Sequence, residues 1–151
     1  MVHEDQMFEV VHTCTDWWDG PRKGIADFEG HPHLFVSEWD YSKDGIPDTF
    51  LLAPVSDETF RLALEDWGIW RRWETAFAQG ETGKDTHPAL PQDKARHEKL
   101  TLLLEQRLVL DETRALRKNA EFRVREDASW NGFGWPPLEV HWMDIDNHSV
   151  G

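Results

Sequence analysis

The stretch that most constrains this chain is S-D-E-T-F-R-L-A-L-E-D-W-G-I-W-R-R-W-E-T-A-F, residues 56 to 77. Ser56 suits an N-cap, and Asp57 and Glu58 face the positive end of the helix dipole that would follow. Apolar residues then recur at helical spacing, so the pattern predicts a helix from Ser56 through Phe77 that stops near Gly80. At about 100° per residue, Phe60, Leu62, Ala63, Leu64, Trp67, Ile69, Trp70, Trp73, Ala76 and Phe77 cover roughly two thirds of the circumference. So broad an apolar arc belongs to a helix packed on more than one side.

The flanks of that helix read differently. Before it, Met7 to Thr15 alternates as a strand, with Phe8, Val10, His12 and Cys14 on one face. Asp19-Gly20-Pro21 breaks it. Gly24 to Phe28 and His33 to Trp39 read as strands joined around Glu29-Gly30-His31. Tyr41 to Asp48 reads as a loop and Thr49 to Val55 as a further strand, whose Pro54 marks an edge or a strand end. After the first helix comes a polar loop over residues 80 to 91. A second helix follows from Gln92 at least to Leu110, with a break at Asp111 before the pattern continues toward Asn119. Ala120 to Glu126 and Leu138 to Ile145 alternate as strands, separated by the turn-rich S-W-N-G-F-G-W-P-P of residues 129 to 137. Strands at about 7–55 and 120–145 therefore enclose helices at about 56–79 and 92–118. This order predicts an α+β fold. The expected form is a mostly antiparallel, curled sheet, with a pair of helices inserted between the N-terminal and C-terminal strands.

At 151 residues the chain fits one domain over 1–151. Its 39% hydrophobic and 30% charged residues suit a globular protein. The N-terminus is acidic and shows neither the basic nor the apolar region of a signal peptide. The single cysteine, Cys14, excludes an intrachain disulfide. A cytoplasmic protein is the simplest expectation. With a net charge of -13, from 29 acids against 16 bases, direct binding to nucleic acid is disfavoured, and no apolar run suggests a membrane span. Solubility accounts for such a charge, and so does a basic protein partner.

Two carboxylates, Asp66 and Glu74, project within the apolar arc of the first helix. A lone carboxylate is costly to desolvate, so each must find a partner or serve in a pocket. The second helix offers candidates. Extending the stripe Leu100, Leu103, Leu104 and Leu108 toward its start brings in Asp93, Arg96 and His97, and the preceding loop adds His87. These groups either satisfy Asp66 and Glu74 in a structural network or form an acid–base or anion site with them. Both readings place a polar layer shared by the two helices.

Signatures of defined chemistry are missing. There is no G-x-S-x-G, Walker loop or H-E-x-x-H. Cys14 and His12 lie two residues apart on a strand, a poor nucleophile–base pair, and a small buried cysteine is commonplace. His31 and His33 are weak metal candidates at i and i+2. A metal needs further ligands, which only Glu38, Asp40, His141 or Asp144 would supply, so no metal or other cofactor is expected. Nine tryptophans form three groups: Trp17, Trp18 and Trp39; Trp67, Trp70 and Trp73; Trp130, Trp135 and Trp142. Most should be core, but a few exposed together would line an aromatic cleft. In T-D-W-W-D-G-P, Trp18 continues the face of Phe8 and Cys14 and should be core, which turns Trp17 to the other face. Trp17, Trp70, Arg96, Trp130 and Trp135 are the candidate ligand-binding residues.

Three segments, D-W-W-D-G-P-R-K-G-I-A-D-F-E-G-H-P-H, L-A-L-E-D-W-G-I-W-R-R-W-E and T-H-P-A-L-P-Q-D-K-A-R-H-E-K-L, span roughly residues 16 to 100. On them the chain resembles a set of small bacterial proteins without a known activity. The resemblance implies a bacterial, cytoplasmic protein and no catalytic residue. The reading preferred here is a non-catalytic acidic binding protein, either an inhibitor or immunity-type protein for a basic partner or a binder of a small ligand at an aromatic cleft. The alternative is a small hydrolase or isomerase that uses Asp66, Glu74, His87, Asp93 and His97 as acid–base groups.

Overall fold

Six strands hydrogen-bond in sequence order, each antiparallel to the next, and the last returns to the first. They are β1 (Glu9–Trp17), β2 (Pro21–Phe28), β3 (His31–Ser37), β4 (Thr49–Pro54), β5 (Leu116–Val124) and β6 (Leu138–Met143). Two helices, α1 (Asp57–Ala78) and α2 (Lys94–Arg107), lie between β4 and β5 in the chain. The computed structural model describes residues 8–17, 20–38, 49–126 and 136–145. The chain divides into a barrel unit, which holds all six strands, and a helical unit from Ser56 to Val109. The fold is therefore α+β with antiparallel strands.

The curled open sheet expected from the sequence is instead a closed barrel. Closure comes from Glu9 pairing with Val140 and Val10 with Glu139, which joins β1 to β6. A closed sheet has no free edge, so it leaves no unpaired strand face at either side. Pro54 accordingly marks the end of β4, which is flanked by β3 and β5.

Side chains fill the interior. Ala26, Phe35, Phe50, Leu52, Val140 and Trp142 are buried together, with Val11, Phe28, Ala120 and Phe122 packed against them. Phe35, Phe50, Phe122 and Trp142 come from four successive strands, and every pair of these rings is in contact, with centroids 5.5 to 6.1 Å apart. Their tilted and edge-to-face arrangements suit the ring quadrupoles. The Trp142 indole N–H donates to the backbone carbonyl of Asp27 at 2.8 Å, so the one polar atom of the cluster is satisfied. Eight strands give a barrel just wide enough to be filled by side chains, and six give a narrower one. This barrel is a packed core along its middle.

Local chemistry explains the joints. Glu29 and Gly30 both take positive φ, 54° and 80°, as the two central residues of a type I′ hairpin turn must. Both turn amides donate to the carboxylate of Glu9, at 3.0 and 2.9 Å, which ties the start of β1 to the β2–β3 turn. The pairing of β1 with β2 shifts register between Val11 and Thr13 and again after Cys14. These bulges correct the simple alternation expected for β1. Val11 packs on the core, and the consecutive residues Thr13 and Cys14 are both buried. Thr13 Oγ1 accepts the backbone N–H of Ile25 at 3.0 Å, and the strands come so close that a Cβ on Gly24 would stand 2.1 Å from the Thr13 carbonyl oxygen.

The second helix is shorter than its pattern suggested. A 3-10 turn at Pro91–Asp93 leads into it, and it ends at Arg107 rather than continuing toward residue 118. Leu116 to Asn119 pair with β4, and Asn119 also pairs with β6. Pairing of Leu116 to Lys118 with β4 outweighs the helical propensity of A-L-R-K. Trp18, Trp39, the loop at 41–48 and the turn at 129–135 lie outside the described residues.

Gly24→Ala is expected to destabilise the protein by at least about 1–3 kcal/mol, the cost of forcing atoms into a filled site. Urea unfolding followed by tryptophan fluorescence measures it, and an unchanged midpoint would show that the two strands part without cost. Phe50→Ala should cost about 3–5 kcal/mol, because it leaves a cavity among three remaining rings.

Candidate functional site

Helix α1 begins as its sequence dictates. The Ser56 hydroxyl oxygen accepts the backbone N–H of Thr59 at 3.2 Å, with Asp57 and Glu58 in the first turn. Within the helical unit α1 and α2 run antiparallel, as their cross-helix pairs require. Arg107 meets Glu58 at 3.0 Å, Arg96 meets Glu65 at 2.6 Å, His97 meets Asp66 at 2.6 Å and Arg72 meets Asp93 at 3.0 Å. The apolar seam beneath this ladder is small: Ile69, Ala89 and Leu100 are buried, with Leu62 packed on them.

Four of the sequence candidates therefore fall in one polar layer. Asp66 accepts from, or donates to, Nδ1 of His97 according to the protonation of the pair, and each side chain is 23% exposed. Arg96 holds both carboxylate oxygens of Glu65, at 2.6 and 2.7 Å. Asp93 receives both Nε and an Nη of Arg72, at 3.1 and 3.0 Å. The paired fork geometry is the strong form of such contacts. The Arg96 guanidinium lowers the pKa of Glu65 through its hydrogen bonds, and Asp93 raises that of Arg72 in the same way.

The remaining helical candidates lie elsewhere. Glu74 is buried and pairs with Arg71 one turn earlier, at 2.9 Å. His87 packs edge-on against Trp73, with centroids 4.7 Å apart and planes at 90°. Trp73 stacks on Phe77 at 5.0 Å, and its indole N–H donates to Thr86 Oγ1 at 2.8 Å rather than to either acid of the arc. Trp67 and Trp70 touch, with centroids 4.9 Å apart.

In the barrel unit, Trp17 is 36% exposed. Trp130 and Trp135 lie outside the described residues. His31 is exposed, whereas His33 is buried with Nδ1 2.8 Å from the His31 carbonyl oxygen. Among the described residues no three His, Cys, Asp or Glu side chains gather as a metal site would require. His12 pairs with Asp27 at 2.8 Å, a second imidazole–carboxylate contact that strand alternation did not suggest. Cys14 is buried, and desolvation pushes its thiol from 9.0 up to about 11, against the smaller opposing pull of backbone hydrogen bonds. A thiol so held stays protonated at neutral pH and is a poor nucleophile.

Glu65, Arg72 and Arg107 escaped the sequence reading as site residues, and Glu58 entered it only as a first-turn acid, although a signal for three of them was present. Glu58, Glu65 and Arg72 recur every seven residues, which aligns them along one side of α1. A charged stripe at that spacing marks a helix whose neighbour carries the complement.

The Asp66–His97 contact should couple the helices by about 0.5–1.5 kcal/mol, as read from a double-mutant cycle of Asp66→Asn and His97→Ala in urea. Additivity of the two substitutions would exclude the coupling. The Glu65–Arg96 pair gives a signed pH effect. A depressed folded-state pKa adds stability above the unfolded value, and that stability is lost as pH falls through the folded value. Glu65→Gln should therefore flatten part of the acid limb of the stability profile. Cys14 acts in the opposite range. Its raised pKa leaves the unfolded thiol to ionise first, so stability should fall by on the order of 2 kcal/mol between pH 9 and about 11. Cys14→Ala should remove that slope in alkaline urea titrations.

Comparison with protein-family models, curated proteins and solved structures found no match, and the geometry of the chain itself carries the functional argument.

Proposed function

We propose that this protein is a non-catalytic acidic binding protein whose partner is a basic protein, in the manner of an inhibitor or immunity-type protein. The observation that carries the reading is the uneven placement of charge. Residues 1 to 55, which include the first four strands, hold eleven acids and three bases, whereas the helical segment from 56 to 109 holds ten acids and eight bases. Four of those acids and three of those bases pair in the cross-helix ladder and the remainder nearly cancel, so the excess of negative charge falls in the sequence of the barrel unit. Asp16 and Glu29 are exposed acids of that unit. A field of one sign speeds encounter with an opposite surface and suppresses wrong partners. The packed barrel middle argues in the same direction, since Phe35, Phe50, Phe122 and Trp142 occupy the space a large ligand would need there.

A second reading rests on the Asp66–His97 contact. A carboxylate at Nδ1 orients an imidazole for proton transfer at Nε2, and both groups are partly exposed. This would make the polar layer an acid–base site of a small hydrolase or isomerase. Loss of a turnover activity on His97→Gln, with folding intact, is the outcome that would favour it.

The binding reading is tested by capture on the immobilised full chain from lysate at low salt, followed by titration of the purified captured protein. Association with a protein of basic isoelectric point is expected. It should weaken steeply as ionic strength rises, because exposed charges are screened beyond about 8 Å at physiological salt. Asp16→Lys combined with Glu29→Lys should slow association several-fold. Salt-independent binding, or no basic protein retained, would overturn the proposal.

A further inference from the structure

One end of the barrel carries groups that its packed middle does not need. β2 and β5 are three strands apart in either direction around the closed sheet, so they face each other across it. Yet Nζ of Lys118, on β5, lies 5.5 Å from the ring centroid of Phe28, the last residue of β2. That contact crosses the mouth of the barrel at the Glu29–Gly30 end. Lys118 pairs in register with Phe50, a core residue, which directs both side chains to the same side of the sheet. Its ammonium also meets Asp144 at 2.6 Å, and Asp144 is 90% exposed. An ammonium has three donors, so Asp144 leaves Lys118 with capacity for another acceptor.

His33 packs edge-on against the same Phe28 ring, 5.3 Å between centroids. Only 9% of this residue is exposed. Its Nδ1 lies 2.8 Å from the carbonyl oxygen of His31. A carbonyl oxygen only accepts, so Nδ1 carries the proton of the neutral ring and Nε2 carries the lone pair. No described residue donates to that lone pair. A buried acceptor without a donor is destabilising, and folded proteins rarely leave one so. Phe28 thus has a cation and a buried acceptor without a described donor against its ring at the Glu29–Gly30 end of the barrel.

We propose that this mouth binds a small oxyanion that carries its own hydroxyl, such as an α-hydroxycarboxylate or a singly protonated phosphate. The anionic oxygen accepts from Nζ of Lys118, the ligand hydroxyl donates to Nε2 of His33, and Phe28 forms the apolar wall. The four rings below the mouth restrict the ligand to a few heavy atoms. The site does not depend on the basic-partner reading, and either stands if the other fails.

Side-chain nitrogen NMR of His33 in the full chain, titrated with glycolate, acetate and inorganic phosphate, tests the proposal. Glycolate is expected to shift the Nε2 resonance saturably. Acetate, which lacks the hydroxyl, should bind about tenfold more weakly, the scale of one lost hydrogen bond in a buried site. Lys118→Met should weaken glycolate by a similar factor, and His33→Phe should abolish the preference for glycolate over acetate. A response to phosphate without one to glycolate assigns the site to phosphates. If neither ligand moves Nε2, or if Lys118→Met leaves the titration unchanged, the site does not exist. Lys118 is a long side chain at the barrel end, so its replacement should fold even where the His33 variant does not.

Discussion

The mutual contact of Phe35, Phe50, Phe122 and Trp142 is the interaction on which the barrel depends. Each ring comes from a different strand, and each touches the other three. Such an arrangement cannot form on a flat sheet, because β3 and β6 are brought within ring contact only when the strands between them curl tightly. Burial of four large rings supplies the driving force, and the closing pairs Glu9 with Val140 and Val10 with Glu139 then satisfy the last strand edges. The hydrogen bond from Trp142 to the Asp27 carbonyl and the clasp of Glu9 on the Glu29–Gly30 turn fix the same closure from two further points.

The helical unit is held together by a different balance. Its apolar seam is short, so the cross-helix pairs set the register of α1 against α2. Partly exposed ion pairs contribute little energy each. Their arrangement is nonetheless selective, because sliding one helix by a turn would set Glu65 away from Arg96 and Asp66 away from His97 together. The acids that the sequence marked as costly, Asp66 and Glu74, are matched within this unit by His97 and Arg71. The two units contrast in charge. The helical segment nearly balances, with ten acids against eight bases, and the negative excess lies in the sequence of the barrel unit, where the proposed reading would set a basic partner.

Some of this was legible in the sequence because its causes are local. Ser56, Asp57 and Glu58 announce the start of α1, since a cap and a first turn involve only neighbouring residues. Glu29-Gly30 announces a tight hairpin, because positive φ is a property of the turn alone. Alternation at Leu138, Val140 and Trp142 announces β6 and its inward face. The polar layer was visible as residues, Asp66, Asp93, Arg96 and His97, because helical periodicity carries them onto facing sides. Their partners were not all visible. Thr86, and not an acid, takes the Trp73 indole N–H, since loop geometry decides which acceptor lies near a ring.

Sequence by itself determined the α+β class, the mid-chain helices, the position of the first hairpin and the negative charge, each of which follows from spacing or composition. Only the tertiary structure decided that the sheet closes, that β1 bulges at Thr13 and Cys14, that Leu116 to Asn119 belong to a strand, and that Lys118 reaches Phe28 across a barrel mouth. The physical reason is the same in every case. Strand pairing and ring packing join residues far apart in the chain, and those long-range contacts override the local preference of A-L-R-K for a helix and of β1 for simple alternation.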